Sequence, residues 1–346
     1  MKKNRLFAAV TAAALALSLA ACGSAPASTV STGASASGSA DGESFKVGIV
    51  QYTSHSSLDE ICTAIQSELT ALSEASVAAG GPAIEFEVQN GQADTATLND
   101  ICKLFVSEGV DLIIPIATPA ATAAAAAVQG TGIPLVYSAV TDPVGAQLAD
   151  SMEAPGQNMT GTSDYIDTNK ILDLALAADP DLGTLGLLYN LGEPNSVTTI
   201  GNMKPVLEEK GITAVESTVT NAGEVQLAAQ NLLAQGAEAI FVPIDNTVAD
   251  GMAVLASTAI EAGVPVYTAA DSMVRDGGLA TTGVNYTKLG ELTQMAADVL
   301  NGADPAATPV QVLNDGITTV NTTTAAALGI DPEIFDLTGE GYIAVE

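Results

Sequence analysis

One short plan occurs twice in the chain, and it limits the fold more than any other feature. A glycine precedes an apolar strand that ends in Pro-Ile: Gly-Val-Asp-Leu-Ile-Ile-Pro-Ile from Gly109, and Gly-Ala-Glu-Ala-Ile-Phe-Val-Pro-Ile from Gly236. Each copy leads into a helical stretch, a second glycine (Gly132, Gly263) and a matching strand, Ile133–Ser138 or Val264–Thr268, with Pro and Tyr in corresponding places. Lys46-Val47-Gly48-Ile49-Val50 is echoed in the same way by Leu185-Gly186-Leu187-Leu188. Glycine tolerates the left-handed conformation just past a helix C-terminus, so helix–glycine–strand punctuation marks βαβ units and mostly parallel sheets. Two α/β domains of similar, doubly wound plan are expected.

The expected strands are Lys46–Gln51, Ile84–Gln89, Asp111–Ile116, Ile133–Ser138, Leu185–Tyr189, Ala214–Val219, Ala239–Ile244 and Val264–Ala269. Pro115 and Pro243 remove ladder donors and belong near the strands' carboxyl ends, where pairing loosens. Cys62 and Cys102 fall on the apolar stripes of the first two helices. In a sheet ordered 2-1-3 those helices cover opposite faces, so both thiols are expected buried and unpaired.

The first residues read as an export signal rather than as part of the fold. Lys2, Lys3 and Arg5 precede an apolar run from Phe7 to Ala20, too short for a comfortable membrane span. The run ends in Leu19-Ala20-Ala21-Cys22, which resembles the bacterial lipobox. That resemblance implies a signal peptide over residues 1–21 and a lipid on Cys22. Residues 22–44, almost all Ser, Ala, Gly and Thr, are expected to form a flexible tether.

Charge and composition exclude several functions. Ten Lys and Arg against 40 Asp and Glu give a formal charge of −30, and nucleic-acid binding requires the opposite balance. No GxGxxG opens a helix after a strand, and no GxxxxGK[ST], GxSxG elbow or CxxC is present. The single histidine, His55, stands at a helix start and could line a cleft; with no marked nucleophile near it, it makes no hydrolytic site. Neither a metal nor a cofactor is expected, nor is catalysis.

Small polar residues collect just after the strands. Thr118-Pro119 and Thr141-Asp142-Pro143 put a capping residue before a proline, and Asn195, Ser196, Asp245, Asn246 and Asp271 occupy similar loops in the second half. In open α/β sheets ligands bind beyond the carboxyl ends of the strands, where helix N-termini offer free N–H groups.

With those residues in view the chain resembles the tryptophan/tyrosine-type family of ABC transporter substrate-binding proteins, of the periplasmic-binding-protein type I fold. The resemblance is carried by Ile116-Ala117-Thr118-Pro119-Ala120-Ala121, Tyr137-Ser138-Ala139-Val140-Thr141-Asp142-Pro143 and Asn158-Met159-Thr160-Gly161-Thr162-Ser163-Asp164. Tyr189-Asn190-Leu191-Gly192-Glu193-Pro194-Asn195-Ser196, Val242-Pro243-Ile244-Asp245-Asn246 and the segment from Leu279 to Tyr286 add to it. It implies extracytoplasmic capture of a small ligand by a monomer, handed to a permease with cytoplasmic ATPases. Aromatic amino acids are the ligands of the family's characterised members. A sensing lipoprotein serving a signalling receptor, or an importer component for a nucleoside or another solute, is the alternative.

The fold so implied has three crossings. One lobe would comprise residues 45–162 plus 286–303, and the other residues 163–285 plus 304–346. For an amino acid, Thr118 and Thr141 would hold the carboxylate and Asp271, or else Asp245, the ammonium. Asn195, Ser196 and Asn246 would approach from the second lobe, with Ser138 beside Tyr137 in the first. Tyr52 and Tyr137 would pack the side chain, although Tyr137 suits the core equally well.

Overall fold

The computed structural model describes residues 44–284, 286, 292–313 and 316–346. Residues 1–43, where the export signal, Cys22 and nearly all of the tether are expected, lie outside the described residues, as does Asn285. Chain order in the first lobe runs β1 (Phe45–Gln51), α1 (Ser56–Ala78), β2 (Ile84–Asn90), α2 (Thr95–Glu108), β3 (Leu112–Ile116), α3 (Thr118–Ala127), β4 (Leu135–Tyr137) and β5 (Met159–Ser163). The second lobe follows with α4 (Thr168–Ala178), β6 (Thr184–Asn190), α5 (Pro194–Lys210), β7 (Thr213–Val219), α6 (Val225–Ala234) and β8 (Ala239–Val242). It continues through α7 (Asn246–Asp250), α8 (Met252–Glu261), β9 (Val266–Thr268), α9 (Asp271–Arg275) and β10 (Ala280–Gly283). The chain then returns with α10 (Leu292–Leu300) and β11 (Gln311–Val312), and ends with β12 (Ile317–Asn321), α11 (Thr322–Leu328) and β13 (Ile343–Val345).

Both lobes are α/β and doubly wound. Their sheets run β2-β1-β3-β4-β5-β11 and β7-β6-β8-β9-β10-β12-β13, so the first four strands of each follow one order. Pairing is parallel except between β10 and β12. All eight strands expected from the sequence are present, with ends shifted by up to two residues. Pro115 is the penultimate residue of β3, and Pro243 lies immediately past β8, where no ladder donor is needed. Gly109 and Gly211 end α2 and α5 in the left-handed conformation.

The central strands are buried on both faces, which is why β1, β3 and β8 read as unbroken apolar runs. Gly48 and Gly186 hold the same place in the two sheets, opposite Ile113 and Ile240. A Cβ at Gly48 would lie 2.5 Å from the Phe105 ring, so α2 can reach its sheet only across a glycine. At Gly186 the nearest atom would be 3.1 Å away, a closer packing of small residues around Ala237. Cys62 and Cys102 are buried and free.

Three strands that the apolar pattern did not mark, β5, β10 and β12, carry the crossings. The chain leaves the first lobe after β5, returns between β10 and α10, and leaves again between β11 and β12. Helix α10 packs on α1 and on β3 to β5. The last crossing was expected at residue 303. That position falls between α10 and β11, and β11 still adds to the first sheet by pairing with β5, Gln311 opposite Thr162. Among the described residues no helix is long and apolar enough to cross a membrane.

Candidate functional site

The carboxyl ends of both sets of parallel strands face one cavity. Its empty space, mouth included, measures about 340 Å³. His55, Ser57 and Leu58 close it from the start of α1, and Ala117, Thr118 and Ala139 from the ends of β3 and β4. Asp164 and Tyr286 contribute from the crossings. Asn195, Asp245, Asn246, Ala249 and Met273 form the opposite wall in the second lobe.

The lobes are in contact along the start of α1. His55 Nε2 lies 3.1 Å from Asn246 Oδ1, and the Glu60 carboxylate receives both of its bonds from Arg275 at 2.8 Å. Ser56 donates to Asp276, and the Ser57 and Ser272 hydroxyls are bonded to each other. The structure is therefore closed over the site.

The first-lobe wall is strained and leaves polar atoms uncommitted. Ala117 precedes α3 with φ 78° and ψ 155°, a region that glycine occupies and alanine rarely does. Ala139 also has positive φ, 54°. The Thr118 hydroxyl, 2% exposed, has no partner among the described residues. At the crossing, Asp164 is fully buried, and Tyr286 Oη stands 3.5 Å from its Oδ2. Burial lifts its carboxyl to about 6, against the lowering effect of the Thr141 and Tyr286 hydroxyls. Among the described residues no basic side chain is bonded to it.

The second-lobe wall is instead satisfied from within. Asp245 caps α7 by accepting from the Val248 N–H at 2.9 Å, and it also accepts from the Asn190 N–H at 2.7 Å. Glu193 accepts from the main-chain N–H groups of Asn246 and Thr247 and from both side chains, all at 2.6–3.0 Å. Burial and the neighbouring Asp245 carboxylate push Glu193 upward, against those four donors. Asn195 Nδ2 donates to the Ile244 carbonyl at 2.6 Å, which turns its Oδ1 toward the cavity without a partner.

Of the residues expected from sequence, Thr118, Asn195, Asp245 and Asn246 belong to the cavity wall. Tyr52, Tyr137, Ser138, Thr141, Ser196 and Asp271 do not. Tyr137 is a core residue of β4, with Ser138 fully buried after it. Tyr52 lies between the lobes, its ionisation suppressed by burial and by Glu193 and Asp245. The Thr141 hydroxyl is buried without a hydrogen-bond partner among the described residues, and Ser196 Oγ braces the Ile244 carbonyl at 3.3 Å.

Asp271 is paired to Arg275 at 2.7 Å, one helical turn away, so its charge is already answered. Asp245 is committed as a helix cap. Asp164 is not among the site residues expected from sequence, although it ends a motif that carries the resemblance, and His55 is expected only as able to line a cleft. The i, i+4 spacing of Asp271 and Arg275 is a signal in the sequence that the Asp271 charge has a local partner.

Comparison with known proteins agrees with the fold and places the chain. Residues 46–333 match the family of ABC transporter substrate binding proteins. A tyrosine-binding protein from Clostridioides difficile (strain R20291) is 34% identical over 82% of this chain and 80% of its own length. The ABC domain from Streptococcus pneumonia, solved in complex with L-Trp, is 33% identical and superposes with a TM-score of 0.78 over 88% of this chain and all of that one. A ligand-free, open substrate-binding protein with adhesive properties from Clostridium difficile is 34% identical over 87% of this chain and 99% of its own, yet its TM-score is 0.63. At equal identity the chain superposes better on the complex than on the open form, as the contacts between its lobes require. This two-lobed periplasmic-binding-protein type I chain belongs to the ABC transporter substrate-binding protein family.

Proposed function

We propose that the chain captures an α-amino acid with an aromatic side chain between its lobes and releases it to an ABC permease outside the cytoplasm. The observation that carries this reading is Asp164, a fully buried carboxylate in the cavity wall with no basic partner among the described residues. A buried charge without a counter-ion is costly, and an incoming ammonium supplies one. Asn195 Oδ1 is a second acceptor for it. In the same first-lobe wall, the Thr118 hydroxyl and the start of the ten-residue α3 are suited to the ligand carboxylate. The relatives that hold tyrosine and L-Trp support an aromatic side chain.

In this reading the lobes close about the three crossings, and a ligand touching both lobes favours the closed state. The protein would act as a monomer held to the membrane by lipid on Cys22. Two acyl chains anchor stably where one does not. Cys22→Ala should move the protein from the membrane fraction into the medium or periplasm, and retention in the membrane would contradict the anchor. The ligand class is tested by calorimetry against amino acids, nucleosides and sugars. Heat of binding from aromatic amino acids alone is expected; binding confined to sugars or nucleosides would overturn the amino-acid reading and leave the family assignment intact.

A further inference from the structure

The reading above makes no use of His55, which precedes the first turn of α1 and is 9% exposed. Its two ring nitrogens have different surroundings. Nε2 lies 3.1 Å from Asn246 Oδ1. Asn246 cannot be turned over, because its Nδ2 donates to Glu193 Oε2 at 2.6 Å and a flipped amide would set a carbonyl oxygen against that carboxylate. Only an N–H on His55 can complete the contact with Oδ1, so Nε2 carries the proton and Nδ1 carries the lone pair.

That Nδ1 is buried, has no partner among the described residues, and belongs to a ring in the cavity wall. The wall on this side also holds apolar side chains. Leu58 comes from the first turn of α1, and Ala249 stands three residues on from Asn246 along α7. Met273 adds to the same wall. Asp59 from α1, Asp250 from α7 and Asp276 beyond α9 favour a charged ring, but burial outweighs them and lowers the imidazole pKa. The acceptor therefore persists at neutral pH.

We propose that His55 Nδ1 accepts a hydrogen bond from an N–H or O–H on the ligand's aromatic side chain, so that the site selects phenol- or indole-bearing amino acids over a bare phenyl ring. The inference rests on the amino-acid reading. The ligand ammonium is drawn to the carboxylate of Asp164, which leaves the apolar wall beside His55 to the ring and Nδ1 to the ring's one polar hydrogen. A phenyl ring would bury the lone pair unpaired, and a site built around such a bond rejects the analogue that lacks it.

Calorimetry with L-tyrosine, L-tryptophan and L-phenylalanine on the wild type, His55→Gln and His55→Asn tests this. Gln sets its amide nitrogen where Nε2 was and keeps the bond to Asn246, with nothing in place of Nδ1. Asn sets its amide near the Nδ1 position. In the wild type, tyrosine or tryptophan should bind at least about tenfold more tightly than phenylalanine, the discrimination of one buried hydrogen bond. His55→Gln should bring that ratio to within about threefold by weakening the donor-bearing ligand, with phenylalanine little changed, and His55→Asn should keep part of the preference. Equal wild-type binding of all three overturns the inference and leaves the amino-acid reading standing. So does an equal loss for all three in His55→Gln, which would make His55 only a contact between lobes. If no aromatic amino acid binds the wild type, the amino-acid reading itself fails, and the inference with it.

Discussion

The two lobes share one strand order, and the same Pro-Ile strand end leads to a helix start at the cavity in each, but they spend their polar groups differently. In the first lobe, the turn before α3 is held by a strained Ala117, and the Thr118 hydroxyl that follows bonds to nothing in the protein. In the second, the equivalent turn before α7 carries Asp245 in relaxed extended geometry, φ −125°, and its helix start is tied down by Asp245 and Glu193 together. Asp164, at the exit of the first lobe, has no cation beside it among the described residues. One duplicated plan therefore yields a lobe that keeps its polar groups for something else and a lobe that consumes its own. An open binding protein needs one preformed surface to receive the ligand, and a second that stays rigid as it closes.

The largest effect that would break this comparison is at Asp164. Asp164→Asn should weaken amino-acid binding by at least about a hundredfold at pH 7.5, because a charge-assisted pair is lost inside the cavity. The same variant should make the unliganded protein more stable. A carboxyl lifted from 3.8 to about 6 on folding is penalised when ionised, by about 3 kcal/mol at most. The folded state holds that proton more tightly, so the penalty is absent below pH 3.8, grows as pH rises toward 6 and is complete above it. The melting-temperature gain of Asp164→Asn should therefore be present at pH 7.5 and fade by about pH 4. Wild-type affinity should drop about tenfold for each pH unit below 6, as ligand and proton compete for the carboxylate. Unchanged affinity in the variant would remove Asp164 from the site.

A second contrast sets Glu193 against Thr118. Glu193→Ala leaves two main-chain N–H groups and two side-chain donors of the second lobe without their acceptor, and should cost about 2–4 kcal/mol of unfolding free energy in urea titrations. Thr118→Ala removes a hydroxyl that bonds to nothing, so stability should move by no more than about 0.5 kcal/mol while affinity falls about tenfold. If Thr118→Ala unfolds the protein and Glu193→Ala does not, the roles assigned to the lobes are reversed.

The smallest effect concerns the turns themselves. Ala117→Gly should stabilise the protein by about 1 kcal/mol, the strain relieved less the added chain entropy. Asp245→Gly at the matching turn should destabilise it by about 1–2 kcal/mol through loss of the cap. Thermal melts of the two variants would then move in opposite directions. A shift of the same sign would mean that the turns do not differ as their geometry states.

How far the sequence could be read varied with the kind of element. Strands β1 to β4 and β6 to β9 were legible because parallel strands buried on both faces must be continuously apolar. The strands at the crossings were not. Met159–Ser163, Ala280–Gly283 and the Thr-rich Ile317–Asn321 have weak patterns of their own, and they become strands because neighbours already in place offer them ladders. Thr118, Asn195 and Asn246 could be picked out as polar residues at helix starts, a local property. Asp271 looked available because a sequence shows a charge and not its partner; Arg275 takes that charge one turn on.

By itself, then, the sequence determined two α/β lobes of one plan, because hydrophobic period, glycine punctuation and duplicated Pro-Ile strand ends are all written along the chain. It also determined which kinds of residue stand at the strand ends. Which of them face a ligand was decided only in three dimensions. In the proposed site Asp164 counts because β5 leads it into the interior with no counter-ion among the described residues, and His55 because Asn246, 191 residues away, holds one of its two ring nitrogens. Burial, partnership and protonation depend on what surrounds a group, and at a cleft between two lobes the surroundings come from segments far apart in the chain.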